Sequence, residues 1–158
     1  MPLSSVTRAA EAETNCMNDR VFVDTNILVY AHDAAAGEKH TLAKSLLSEL
    51  WRGRNAVIST QVLQEFYVTV RKKVLNIEEG KLAKRWLSHY LTWDTIVNDG
   101  ASILRAIEIE QRYQLSFWDA MIVQAAKESG ATVLYSEDLN HSQLLAGVRV
   151  HNPLIEAV

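Results

Sequence analysis

Apolar and polar residues follow one another along the chain in blocks whose spacing predicts strands and helices in turn. Short apolar runs, of the kind that a parallel sheet buries on both faces, predict strands. These strands cover residues 21–23, 55–59, 95–97, 131–135 and 148–150. Longer segments with apolar residues three or four positions apart predict amphipathic helices. These helices cover residues 26–30, 40–51, 60–73, 78–90, 100–113 and 116–129.

The alternation of strand and helix predicts the fold class. Strands that alternate with helices are typical of α/β domains with a largely parallel sheet. We therefore expect a three-layer α/β/α domain whose central, mainly parallel sheet has four to five strands. The chain has 158 residues, which is the size of one ordinary domain with a proper hydrophobic core.

Composition and charge narrow the class of protein. Hydrophobic residues make up 48% of the chain and charged residues 22%, as in an average soluble globular protein. No apolar stretch is long enough to span a bilayer, so no membrane partner is expected. The net charge of -3 does not attract polyanions, and a nucleic-acid ligand would need local basic patches. The single cysteine, Cys16, excludes an internal disulfide and suits a reducing cytoplasm.

The first 19 residues differ from the rest of the chain. They are small, polar and charged, and they lack the apolar centre of a secretory signal. They predict a disordered N-terminal tail, or sequence upstream of a true start at Met17. The folded domain is then expected to cover residues 20–158.

This interpretation of the tail is testable by truncation. Residues 1–16 show no apolar periodicity, so we expect them to add nothing to the core and little to stability. A chain that begins at Met17 should therefore keep its melting temperature in a thermal melt. A loss of several degrees would show that the tail packs against the domain.

Four acidic residues occupy positions at which a parallel sheet could bring them together. Asp24 directly follows the first strand, and Asp138 follows the strand at 131–135. Because a buried charge costs several kcal/mol, a carboxylate at the end of a buried strand needs a reason. Asp119 lies in the first turn of a later helix, and Glu65 lies on the helix after the second strand. The carboxyl ends of parallel strands form the ligand crevice of such sheets, so we expect the four acids to converge there.

Each acid also has a simpler interpretation. Asp24 could cap the helix that follows it. Ser116 and Asp119 have the spacing of a capping box, in which Asp119 would serve only its own helix. Glu65 lies away from the centre of its helix's apolar stripe and could be solvated, and residues 137–138 could form an ordinary acidic turn.

Taken together, the four acids indicate metal-assisted chemistry. Carboxylate oxygens drawn from several elements suit Mg²⁺ or Mn²⁺, whereas clustered carboxylates without a cation repel one another. A bound cation lowers the pKa of a water molecule and offsets charge on a phosphoryl group. The sequence has no His/Cys cluster with zinc spacing, no glycine-rich phosphate loop and no G-x-S-x-G motif. Hydrolysis of a phosphodiester is the chemistry that fits the remaining residues.

Three segments that contain these acids also resemble a known family. They are "VFVDTNILVYAHD", "STQVLQEFYVTVRKK" and "SFWDAMIVQAAKESGATVLYSEDLNHSQ". Together they resemble the PIN domain, and in particular the VapC-type toxin ribonucleases of type II toxin–antitoxin systems. The resemblance extends over about residues 20–152. Four acidic motifs occur in the family's order, which makes the resemblance specific.

The resemblance implies a role for each acid. Asp24 matches the family's first aspartate, which binds the metal, and Asp119 matches the other main metal ligand. Glu65 matches the glutamate of the second motif. Asp138 matches the fourth acid, the most variable one, and the neighbouring Glu137 could share its role. The supporting polar positions correspond to Asn26 and Ser136.

The resemblance also implies an activity and partners. It implies an endoribonuclease that depends on Mg²⁺, for which Mn²⁺ can substitute, and that acts as the toxin of a toxin–antitoxin pair. The protein would be a homodimer, held inactive by a VapB-like antitoxin whose tail enters the active-site groove.

Two alternatives remain at this point. A haloacid-dehalogenase-like phosphatase also has an aspartate after its first strand, but it usually has a second acid two residues later, where this chain has Asn26. A PIN-like module could instead bind RNA or a partner without cleavage.

The four tryptophans are predicted to be core or dimer residues rather than platforms for stacked bases. They are Trp51, Trp86, Trp93 and Trp118. Trp118 is the one of functional interest, because it directly precedes Asp119.

Overall fold

A computed structural model describes residues 19–74 and 79–155 of the chain. The strands are β1 (Val21–Val23), β2 (Ala56–Ser59), β3 (Asp94–Ile96), β4 (Val133–Tyr135), β5 (Leu144–Leu145) and β6 (Val148–His151). The α-helices are α1 (Thr25–His32), α2 (Glu38–Gly53), α3 (Thr60–Lys73), α4 (Gly80–Tyr90), α5 (Gly100–Tyr113) and α6 (Phe117–Glu128). A short 3-10 helix, Ala34–Ala36, joins α1 to α2.

The six strands form one sheet in the order β3-β2-β1-β4-β6-β5. Every neighbouring pair is parallel except β5 and β6, which are antiparallel. Helices cover both sides of this sheet: α5 packs on α6, and α1 packs on α2 and α3. The predicted α/β/α class is confirmed, whereas the predicted count of four to five strands is too low. The additional strand, β5, has only two residues and shows no period in the sequence.

The core explains why the first strand lies at the centre of the sheet. Phe22 and Val23 of β1 are fully buried between β2 and β4. Helix α6 is buried along its whole middle, from Ala120 to Ala126, as a helix that is apolar nearly all round should be. This burial fixes the beginning of α6, and therefore Asp119, against the domain.

Helix α3 is placed at the carboxyl end of β2 by a local signal. Ser59 is the last residue of β2, and its hydroxyl oxygen accepts a hydrogen bond of 3.3 Å from the backbone N–H of Val62. A serine in this position satisfies one of the free N–H groups of the first helical turn. The helix therefore begins at the edge of the sheet where β1 and β4 also end.

Two sequence-based expectations fall wholly or partly on residues that lie outside the described ranges. The predicted tail falls on residues 1–19, of which only Asp19 is described, so the possible start at Met17 remains a prediction. The predicted domain also includes 75–78 and 156–158, which lie outside the described residues. No helix within residues 19–74 and 79–155 is long and apolar enough to cross a membrane.

Candidate active site

Asp24 is a buried carboxylate at the carboxyl end of the central strand. Its side chain is held by two short hydrogen bonds, one of 2.7 Å from the backbone N–H of Thr25 and one of 2.7 Å from the hydroxyl of Ser136. The bond from Thr25 is the predicted helix cap, because Asp24 is the N-cap of α1. Ser136 follows β4, the neighbour of β1, and is itself fully buried.

The pKa of Asp24 is strongly perturbed. Burial raises it from 3.8 to about 7, against the hydrogen bonds from Ser136 and Thr25, which lower it. The negative charges of Asp138 and Glu65 contribute a smaller part of this rise in pKa. These two carboxylates therefore lie close enough to disfavour the charged form of Asp24.

Asn26 links the first acid to the fourth. Its side-chain Nδ2 donates a hydrogen bond of 2.9 Å to Oδ2 of Asp138 and lies 3.5 Å from Oδ2 of Asp24. Its Oδ1 accepts a bond of 3.4 Å from the backbone N–H of Glu137. One amide group thus holds the loop after β4 beside the end of β1.

The adjacent acids Glu137 and Asp138 have different surroundings. Glu137 accepts hydrogen bonds of 2.5 Å from the hydroxyl of Tyr30 and 2.8 Å from Nζ of Lys39. Burial acts to raise the pKa of Glu137, but the two donors and the charge of Lys39 lower it overall. Glu137 therefore ties the loop to α1 and α2, and Asp138 is the acid of the pair that faces Asp24 through Asn26.

Glu65 is held by two side-chain donors. The hydroxyl of Thr25 donates to its Oε2 at 2.7 Å, and Nε2 of Gln61 donates to its Oε1 at 2.8 Å. The same Nε2 donates at 3.2 Å to the backbone carbonyl of Trp118 on α6. These contacts connect α3 to α1 and α6, so Glu65 is not the solvated glutamate of the simpler interpretation.

Thr25 and Gln61 are two site residues that the sequence did not predict. Gln61 precedes Glu65 by four residues on one helix, a spacing at which side chains meet, so a signal was available. Thr25 bonds a residue 40 positions away. That contact depends on the tertiary structure and has no local signal.

Asp119 completes the group of four acids. The Ser116 hydroxyl accepts a hydrogen bond of 3.1 Å from its backbone N–H, which provides the serine cap predicted for this helix. Burial raises the pKa of the Asp119 carboxyl, and the charges of Asp138 and Glu65 raise it further, whereas Ser116 lowers it. The structure thus brings all four predicted acids into one electrostatic neighbourhood.

The site does not contain a ready-made metal cage. Within the described parts of the chain, no three His, Cys, Asp or Glu side chains are arranged closely enough to hold an ion. Mg²⁺ is commonly held by one or two carboxylates together with several waters, so a closed cage is not required. The donors present are hard carboxylate oxygens, and this chemistry fits Mg²⁺ or Mn²⁺.

Comparisons with solved structures agree with this fold. The structure is similar to VapC20 of Mycobacterium tuberculosis, described as a Sarcin-Ricin loop cleaving toxin, with a TM-score of 0.62 and 21% identity. The similarity covers 82% of this chain and 98% of that one. It is also similar to FitAB bound to an IR36 DNA fragment, with a TM-score of 0.59, 15% identity, and coverage of 87% and 98%.

Sequence comparison identifies the family. No curated protein matches the chain by sequence. The sequence profile of the PIN domain, however, matches residues 21–144, which is well over half of the chain. This segment contains β1, the loop after β4 and all four acids described above. The chain belongs to the PIN domain family.

Proposed function

We propose that this protein is a metal-dependent endoribonuclease and the toxin of a VapBC-type toxin–antitoxin pair. One observation carries the proposal: the charges of Asp138 and Glu65 act on both Asp24 and Asp119, although the four carboxylates come from separate elements. Such a group is costly in a protein that does not use it, because each charge disfavours the others. In the PIN family, whose members include nucleases, this group is best explained as a site for a divalent cation.

Each of the four acids receives a role in this proposal. Asp24 and Asp119 would be the main ligands of Mg²⁺ or Mn²⁺, with Glu65 and Asp138 completing the acidic site. When bound, the cation would supply a water of lowered pKa and offset charge on the phosphoryl group. Asn26 would keep Asp138 beside Asp24.

Three further residues would hold the acids in position. The Ser136 hydroxyl fixes the orientation of Asp24 from β4. Thr25 and Gln61 each donate a hydrogen bond to a different oxygen of Glu65. Such outer partners orient metal ligands and are commonly needed for full activity.

Exposed lysine and arginine side chains could attract the phosphates of an RNA backbone, although the net charge of the protein is negative. Lysine and arginine side chains are exposed at the end of α3 and along α4, at Lys72, Lys73, Lys81, Lys84 and Arg85. Contacts of this kind with phosphates are independent of sequence and weaken as salt is added. We propose single-stranded or loop RNA as the substrate, because its exposed phosphodiesters suit a shallow acidic site.

The partners are proposed on the family resemblance. A VapB-like antitoxin would hold the enzyme inactive, and the enzyme would be a homodimer acting in the cytoplasm, which suits its single cysteine. Exposed apolar side chains on α5, at Ile103, Leu104 and Ile107, offer a surface for a protein partner.

Metal removal is the direct test of the proposed activity. The purified protein is expected to cleave a mixed-sequence single-stranded RNA in Mg²⁺ or Mn²⁺, and excess EDTA should stop cleavage because the acidic site then lacks its cation. Renewed Mg²⁺ should restore it. Cleavage can be followed by gel electrophoresis of end-labelled RNA.

Two results would contradict the proposal. Full activity in excess EDTA would exclude the metal-dependent reaction. Tight binding of RNA without cleavage, in the presence of either Mg²⁺ or Mn²⁺, would instead identify a PIN-like binding module.

A further inference from the structure

Trp118 is the most exposed tryptophan of the chain and lies beside the acidic site. Its exposed fraction is 63%, compared with 38% for Trp51 and 8% for Trp93. Trp93 is therefore a core residue, whereas Trp118 is not part of the core, and the alternative of a dimer residue stays a prediction for it. An exposed indole leaves a large apolar surface in contact with water, and such surfaces commonly mark places where a ligand or partner binds.

The exposed indole forms one side of a groove between α3 and α6. The groove has a volume of about 410 Å³, which is within the usual range for ligand pockets. We call it the Trp118 groove, and it is lined by Gln61, Gln64, Glu65, Val68, Thr69 and Trp118. Since Glu65 belongs to both the groove and the acidic site, the two are continuous.

Gln61 joins the groove to the acidic site through its hydrogen bonds to Glu65 and to the Trp118 carbonyl. The side chain is only 5% exposed, and its Oε1 has no hydrogen-bond partner among the described residues. Exchanging the positions of the amide nitrogen and oxygen would not pair Oε1, because Glu65 and the Trp118 carbonyl are both acceptors and require Nε2 as their donor. Gln61 therefore holds Glu65 and the Trp118 backbone through its Nε2, whereas its Oε1 is enclosed by the protein.

We propose that the Trp118 groove binds an unpaired RNA base next to the phosphodiester that is cleaved. The inference rests on the proposed ribonuclease function and deepens it by naming a subsite. Single-stranded RNA is typically recognised by stacking of unstacked bases on aromatic rings and by hydrogen bonds to their edges. The exposed indole of Trp118, next to Glu65 of the acidic site, offers such an aromatic ring.

The local packing of Trp118 suits this role. Phe117 packs edge-on against the indole, with ring centroids 5.1 Å apart, and limits its movement. The neighbouring Asp119 belongs to the acidic site, so a base on Trp118 would lie within one nucleotide of that site. Val68 and Thr69 on α3 would contact the edge of the base from the opposite side of the groove.

The test compares steady-state kinetics of three variants on one single-stranded RNA that the wild-type protein cleaves. Trp118→Ala is expected to raise KM about 5- to 150-fold with little change in kcat, which corresponds to the loss of one base stacked on an aromatic ring. Trp118→Phe should keep most of the affinity. Leu91→Ala is the control, because it removes another exposed apolar side chain, 57% exposed, outside the groove.

A second measurement uses the wild-type protein and thus does not depend on the folding of a variant. Removing the base of one nucleotide beside the cleaved bond should raise KM as Trp118→Ala does. In the Trp118→Ala protein the same abasic RNA should cause little further loss, because the stacking partner is already absent.

The possible outcomes separate this inference from the proposed function. If the wild-type protein cleaves RNA but Trp118→Ala leaves KM unchanged, the groove proposal is wrong and the ribonuclease proposal stands. The same conclusion follows if the abasic RNA raises KM equally in the wild-type and Trp118→Ala proteins. It also follows if Trp118→Ala weakens only the binding of a protein partner. If no RNA is cleaved in Mg²⁺ or Mn²⁺, both proposals are overturned.

Discussion

Replacing Asp24 with asparagine is expected to abolish RNA cleavage and to stabilise the metal-free protein at the same time. The loss of cleavage should be at least about a hundredfold, because even the outer partners of metal ligands commonly contribute 10- to 100-fold. Asparagine keeps the shape of the side chain and can still accept the bond from the backbone of Thr25. The loss should therefore reflect the missing charge, and cleavage assays in Mg²⁺ will measure it.

The expected gain in stability follows from the pKa of Asp24. Folding raises this pKa from 3.8 to about 7, so the folded protein favours the neutral carboxyl. The stabilising contribution of Asp24 to the free energy of unfolding is therefore fully present below about pH 4 and is lost as the pH rises to about 7. At pH 8 the variant avoids this loss, and we expect a gain on the order of 2 kcal/mol after allowance for weakened hydrogen bonds.

Asp33→Asn is the matched control for Asp24→Asn. Asp33 lies at the other end of α1, where its side chain accepts a bond of 3.1 Å from the backbone N–H of Ala35. Its replacement should leave cleavage intact. Chemical denaturation in EDTA at pH 5 and pH 8 measures stability, and a gain for Asp24→Asn that does not grow with pH would contradict the explanation.

Replacing Asp119 with asparagine is expected to change stability in a direction that depends on the metal. In EDTA the variant should be more stable by up to about 1 kcal/mol, because the charges of Asp138 and Glu65 no longer act on it; its partial exposure screens the effect. In Mg²⁺ the gain should shrink or reverse, since the wild-type protein is stabilised by the cation it binds. Thermal melts of both proteins under the two conditions measure this.

A second acid at a helix start provides the control for Asp119→Asn. Asp99 caps α5 in a complete capping box with Ser102, and that bond lowers the pKa of Asp99. Asp99→Asn should therefore destabilise the protein to the same extent with and without Mg²⁺. If Asp119→Asn behaves in this way as well, Asp119 serves only its helix and the shared acidic site is not supported.

Periodicity predicted most of the fold because most elements are long enough to show a period. The helix predicted at residues 100–113 coincides with α5, Gly100–Tyr113, and the strand predicted at residues 21–23 coincides with β1, Val21–Val23. The 3-10 helix Ala34–Ala36 and strand β5 were missed. Neither has the β-branched and aromatic residues that mark β1, so tertiary packing rather than pattern decides its conformation.

The positions of the four acids were predictable, whereas their hydrogen-bond partners were largely not. Asp24 and Asp138 follow recognisable strands, and the order of parallel strands brings such ends together. The separation of Glu137 from Asp138 depends on Lys39, 98 residues away in the chain, so no local pattern reveals it. The sequence likewise does not decide between a core and a dimer position for Trp118, because the exposure of its indole depends on tertiary packing.

The amide of Asn26 has a consequence for how this edge of the sheet can evolve. Aspartate-based phosphatases usually have an acid at this position, and the change from asparagine to aspartate is small in shape. Here that change would replace a donor shared by Asp24 and Asp138 with a third negative charge between them. Such a protein would be less stable in the absence of a cation, and more dependent on one, than a protein with the amide. A change of one atom at this position therefore decides whether the two carboxylates are bridged or driven apart.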